Sequence, residues 1–142
     1  MKTRHFIPLI AASLIVLTAC GGGGSPAIDS TRAWFQALAE LRFDDVMNLT
    51  CANGPVRNEI ATKLDPFIDL KETLAALKGQ FDFSNLKFEE KSNNGRVATI
   101  RLSGSMTLVA LGQTEAMEVA EDITVVNESG VWKVCANPLQ SP

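Results

Sequence analysis

The sequence predicts an α+β domain, with amino-terminal helices packed on a strongly curved antiparallel β-meander of about four strands. Three observations carry this prediction. From Pro26 to about Leu77 the apolar residues recur at helical spacing. From Gln80 onward the period falls to two. Turn residues, among them the Asn94-Gly95 pair, then divide the alternating stretch at intervals suited to hairpins. Helices followed by a run of strands is the element order of an α+β fold.

The first helix opens at Pro26, with Ser25 placed to cap it. Ile28, Thr31, Trp34, Phe35, Leu38 and Leu41 form its apolar stripe, while Arg32, Gln36, Glu40 and Arg42 fall largely off it. A short second helix starts at Phe43-Asp44-Asp45. Its adjacent carboxylates do not face each other and suit the positive end of a helix dipole better than acid–base work. Ala52-Asn53-Gly54-Pro55 turns the chain into a third helical stretch, striped by Val56, Ile60 and Leu64 and resumed by Phe67, Leu70, Leu74 and Leu77. Pro66 lies between the two stripes and removes a backbone donor. This stretch is therefore either one kinked helix or two.

Phe81, Phe83 and Leu86-Lys87-Phe88 lead into a first strand ending near Lys91, and Ser92-Asn93-Asn94-Gly95 turns it. The second strand runs from Arg96 to Leu111. Ile100, Leu102, Met106, Leu108 and Ala110 lie on one face, and Thr99, Arg101, Ser103, Ser105 and Thr107 on the other. Gly104 falls on the apolar face and marks a bulge or a bend. After a turn at Gly112-Gln113-Thr114, the third strand spans Met117 to Val126. A turn at Asn127-Glu128-Ser129-Gly130 leads to the last strand, Val131 to Cys135. Two parities conflict with burial. Glu121 shares the face of Met117, Val119, Ile123 and Val125, so either a bulge near Ala120 or a rim position relieves it, or it faces a cavity. Trp132 and Val134 share a face that excludes Cys135.

Before the domain lies a different kind of segment. Lys2 and Arg4 precede an apolar run from Phe6 to Leu17, too short for a membrane span. Leu17-Thr18-Ala19-Cys20 follows, then Gly21-Gly22-Gly23-Gly24-Ser25-Pro26. This pattern resembles a bacterial lipoprotein signal. The resemblance implies a signal peptide over residues 1–19, removal of that peptide, and diacylglycerol and acyl chains, palmitate among them, on Cys20. Two or three such chains anchor a protein stably to a membrane. Residues 20–26 then form a flexible tether, residues 27–137 the domain, and residues 138–142 a short tail.

Without Lys2 and Arg4, 11 of the 13 basic residues remain against 16 acidic ones, a net charge of −5. No basic cluster suggests a nucleic-acid partner. The chain has no Tyr, and its one His, His5, belongs to the leader. Imidazole-dependent catalysis and His-bearing metal sites are thereby excluded from the domain, and neither a metal nor a cofactor is expected. With Cys20 lipidated, Cys51 and Cys135 remain. In an oxidising compartment they form a structural disulfide; two buried thiols, or a redox pair without the close C-x-x-C spacing, are the alternatives.

The Trp34-Phe35 helix, the Phe43-Asp44-Asp45 step, the long meander and the closing Gly130-Val131-Trp132-Lys133-Val134 together resemble the nuclear-transport-factor-like (cystatin-like) superfamily. More closely, they are similar to small bacterial lipoproteins carrying such a domain of unknown function. The resemblance covers roughly residues 27–136 and implies a cone-shaped fold. Isomerases of that superfamily use an Asp base with a Tyr and a protonated Asp as oxyanion donors; lacking Tyr, this chain does not inherit that set.

The expectation is a lipid-anchored envelope protein, on the cell membrane or outer membrane, facing the periplasm or exterior. Its domain serves as a non-catalytic binding or accessory module for a small apolar ligand or an envelope protein. Trp34, Phe35, Met106, Met117 and Glu121 are the candidate cavity lining. The alternative is an enzyme acting on an apolar substrate with Glu121 or Asp122 as base.

Overall fold

The computed structural model describes residues 24–135. The expected leader, Cys20, most of the expected tether and residues 136–142 lie outside the described residues. Three helices, α1 (Pro26–Ala39), α2 (Phe43–Asn48) and α3 (Gly54–Ala76), precede five strands. These are β1 (Gln80–Asp82), β2 (Lys87–Asn93), β3 (Val97–Ala110), β4 (Gln113–Glu128) and β5 (Val131–Val134). The strands form one antiparallel sheet curled into a half-barrel, with the helices ahead of it in the chain.

Local chemistry explains the helix boundaries. The Ser25 hydroxyl accepts from the Ile28 amide at 3.3 Å and donates to the Glu90 carboxylate, so the cap also ties α1 to β2. Ala27, Ile28, Thr31, Trp34, Phe35 and Leu38 are buried on one side of α1. This side lies across the concave face of the sheet and touches all five strands. The Asn53 side chain caps α3 through the Val56 amide. Arg57 donates to the carbonyls of Met47 (2.7 Å) and Thr50 (3.2 Å), meeting the exposed acceptors at the end of α2. Of the two forms expected for the third helical stretch, the continuous one is found: α3 runs through Pro66. The carbonyl deprived of a donor there belongs to Thr62, and both residues are exposed, so water can replace the missing bond.

The expected first strand is split in two. β1 pairs with β3 through Phe81↔Leu108, and β2 pairs along the same edge through Phe88↔Leu102. Between Asp82↔Thr107 and Lys87↔Ser103 the outer chain spends five residues against four in β3. This bulge sits at Gly104, which has φ +115°, and a Cβ there would lie 2.2 Å from the Asn85 carbonyl oxygen. The third expected strand is longer than its alternation indicated, starting at Gln113. The two-residue turn before it holds Leu111 (φ 53°) and Gly112 (φ 74°) both at positive φ, the backbone of a tight hairpin. The last strand stops at Val134, one residue short of expectation.

Ile100, Leu102, Ile123, Val125 and Val134 meet Trp34, Phe35, Ile60 and Leu64 in one core, all 0–1% exposed. The disulfide between Cys51 and Cys135 (Cα–Cα 5.1 Å) joins the helical layer to the end of the sheet. Beside it, the Cys51 amide donates to the Val134 carbonyl and the Val134 amide to Leu49, so the α2–α3 connection covers the outer edge of β5. Cys135 follows the last residue of β5, its amide still donating to the Thr124 carbonyl, and from that end position it bonds Cys51 although its parity is opposite to that of Trp132.

Candidate functional site

The β3–β4 hairpin determines what the concave face offers. Its register is continuous from Val97↔Val126 to Ala110↔Gln113, with no shift near Ala120. Directly paired residues point to the same face. Glu121, opposite Leu102, therefore stays on the core-side face that its parity indicated, and a bulge does not remove it. It is half-buried there, beside the buried Val119 and Ile123. Burial pushes its carboxyl above the ordinary value, because water is partly withdrawn from the charged form. Among the described residues no hydrogen bond or ion pair reaches it. Asp122 points the other way. Opposite Arg101 on the convex face, it makes an ion pair of 3.1 Å with that side chain. The two carboxylates considered as bases thus lie on opposite sides of the sheet.

Met106 and Met117 are directly paired on the concave face, two residues beyond Gly104↔Val119. Met106 is half-buried and packs on the core, whereas Met117 is 56% exposed. The two methionines and Glu121 therefore share one strip along the concave face of the hairpin, the methionines on the side of Gly104 away from the Leu102–Ile100 core and Glu121, opposite Leu102, on the core side.

Trp34 and Phe35 occupy a different place. They are 0% and 1% exposed. The Trp34 indole N–H donates to the Thr50 hydroxyl at 3.1 Å, and that hydroxyl donates to the Val46 carbonyl at 2.8 Å. This chain of donors satisfies two buried polar groups with one another. Phe35 meets Trp34, Phe83 and Phe88 edge to face, with centroids 5.1–5.9 Å apart. Both residues hold the α1–sheet interface together, so the five expected lining residues divide into two in the core and three on the concave strip.

Two further features escaped the sequence. One is a depression of about 380 Å³ between α1 and α2, lined by Ala33, Gln36, Arg42, Asp45 and Asn48 among others. Arg42 bridges Glu40 (2.7 Å) and Asp45 at its rim. Hydrogen bonds from Gln36, and then Arg42, hold the Glu40 carboxyl below its ordinary value. These groups are exposed and already paired with each other. The other is the length of β4 that, among the described residues, has no neighbour on the side away from β3. β5 pairs only with Val125–Glu128, although β4 begins at Gln113. The signal for this in the sequence is the contrast between a long hairpin and a last strand of four residues.

Among the described residues, no three His, Cys, Asp or Glu side chains are grouped to hold a metal ion, and no helix is long and apolar enough to cross a membrane. Comparison of the sequence with protein-family models and with curated proteins finds no match in either.

Proposed function

We propose that the protein is a lipoprotein of the cell envelope, held to a membrane by lipidated Cys20, whose domain binds a partner or a small apolar ligand and performs no catalysis. The observation that supports this best is the Cys51–Cys135 disulfide. Structural disulfides persist in oxidising compartments and are rare in the cytosol. A bond that ties the helices to the sheet therefore agrees with export under the Leu17-Thr18-Ala19-Cys20 leader. The concave strip supplies the surface for an apolar ligand through Met106 and Met117. Of the two carboxylates considered as a base, Glu121 alone lies on the concave face, since Asp122 faces away and pairs with Arg101.

Detergent-phase partitioning of the wild type and Cys20→Ala tests the anchor. The wild type is expected in the detergent phase, and the variant as an unprocessed precursor or a released protein. Equal partitioning of the two would overturn lipidation. Native mass spectrometry of the purified wild type then reads any small apolar ligand it carries.

A further inference from the structure

We propose that the open edge of β4, from Gln113 to Ile123, takes up an extended, basic segment of a partner protein as an added strand. The inference rests on the reading of the domain as a binding module and names the class of its partner.

β4 has 16 residues, and β5 pairs with only the last four of them, the Cys135 amide adding one bond to the Thr124 carbonyl. Among the described residues, nothing pairs with Gln113–Ile123 on that side. Backbone polar groups alternate sides along a strand. The Thr124 carbonyl points toward β5, and the Asn127 amide points the other way, to the Arg96 carbonyl. Even-numbered residues therefore turn their N–H and C=O groups to the open side. Thr114, Ala116, Glu118, Ala120 and Asp122 present a ladder ready for a further strand.

Exposed edges are ordinarily blunted by shortness, by Pro, by charged side chains, Lys above all, or by a bulge. This edge is long, contains no Pro or Lys, and keeps an unbroken register with β3. Its charges are all acidic: Glu115, Glu118, Glu121 and Asp122, of which only Asp122 has an ion-pair partner among the described residues. That pattern selects the occupant. A second copy pairing antiparallel about Glu118 would set Glu115 against Glu121 on the same face, and like charges directly opposite are destabilising. A strand with Lys or Arg at those positions would meet three uncommitted carboxylates. Apolar residues between its bases would meet Met117 and Val119, which lie between Glu115 and Glu121 on the concave face. Complementary charge of this kind also speeds encounter and rejects acidic competitors.

The test is fluorescence anisotropy of the full chain, purified in mild detergent, with two labelled nine-residue valine peptides, one with lysine at every third position, to face Glu115, Glu118 and Glu121 with valines between, and one with glutamate in place of each lysine. The valine–lysine peptide is expected to bind at least tenfold more tightly. Ala120→Pro removes one outward N–H and spares the bonds to β3; it should weaken binding at least tenfold. A valine–lysine peptide N-methylated at every second residue should lose binding to the same extent, and that comparison leaves the protein unaltered. Equal binding of the two peptides, or insensitivity to both Ala120→Pro and N-methylation, overturns the proposal. Binding that appears only after residues 136–142 are removed would assign the edge to the chain's own end. A dimer abolished by Ala120→Pro would assign it to a second copy, and either result overturns a basic partner. The partitioning of Cys20→Ala is read separately, so failure of the peptide with an intact anchor refutes the edge alone.

Discussion

Removing the Cys51–Cys135 bond should weaken the domain strongly while leaving its architecture recognisable. The bond closes a sequence separation of 84 residues. A loop of that length restricts the unfolded chain by roughly 4.5 kcal/mol in the chain-entropy description, and native disulfides commonly deliver about 2–4. For a domain of about 112 residues the entropy of unfolding is about 0.24 kcal/mol per degree, so the melting temperature should fall by roughly 8–19 °C. Folding itself should survive, because Val134 remains joined to Cys51 and to Leu49 through backbone bonds of 2.9 and 2.8 Å in which no sulfur takes part. Scanning calorimetry of the wild type, with and without reductant, and of Cys51→Ala/Cys135→Ala measures the loss. Amide exchange should accelerate first at Cys51 and Val134. A fall below about 3 °C, or free thiols at both positions in untreated exported protein, would refute the reasoning.

Other substitutions test other parts of the fold. Thr50→Val keeps the side-chain shape but strands the buried Trp34 N–H; a loss of about 1–3 kcal/mol is expected in denaturant titration. Gly104→Ala must place a Cβ against the Asn85 carbonyl at φ +115°. It should cost about 2 kcal/mol or more in the same titration. Glu121→Gln should raise the melting temperature at pH 7 and lose that advantage in acid. The folded-state value of Glu121 is raised, so its favourable contribution is present below the ordinary glutamate value and disappears as pH rises through the raised one. Parallel melts of both proteins at pH 7 and pH 4 check the sign.

The helices and the hairpin order were legible because burial imposes a period. Ile28, Thr31, Trp34, Phe35 and Leu38 of the α1 stripe and Ile100 and Leu102 of the even-numbered face of β3 are buried, whereas Leu41, Met106, Leu108 and Ala110 are only half-buried. Legibility failed where burial fails. The first residues of β4, from Gln113 to Glu118, are exposed on both faces, so no alternation marks them as strand. Leu111 at positive φ is an unusual turn residue, and it shifted the apparent turn toward Gly112 and beyond. Pro66 left one helix or two open because its cost depends on whether solvent reaches the Thr62 carbonyl, which only the packing decides. Glu121 is the opposite case. Its parity was correct, and the doubt came from the cost of burying a carboxylate, a cost limited by its position where the core gives way to the open strip. Trp34 and Phe35 show why aromatic pairs on a helix are weak site signals. The same rings that suit a ligand also fill the space between a helix and a curved sheet.

The covalent link between Cys51 and Cys135 also has a mechanical meaning. A load applied between the segment before Ser25 and the segment after Cys135 enters through Ser25 and α1, where the Ser25–Glu90 contact and the capped first turn resist it. If that resistance fails, the polypeptide can be drawn out only as far as Cys51. Beyond that residue, tension passes through the sulfur bridge to Cys135, and the 83 residues enclosed by it bear no stretching force. At about 3.4 Å per extended residue, roughly 280 Å of contour is withheld from extension. The meander, with its open β4 edge, would therefore remain folded while the helix ahead of it is peeled away.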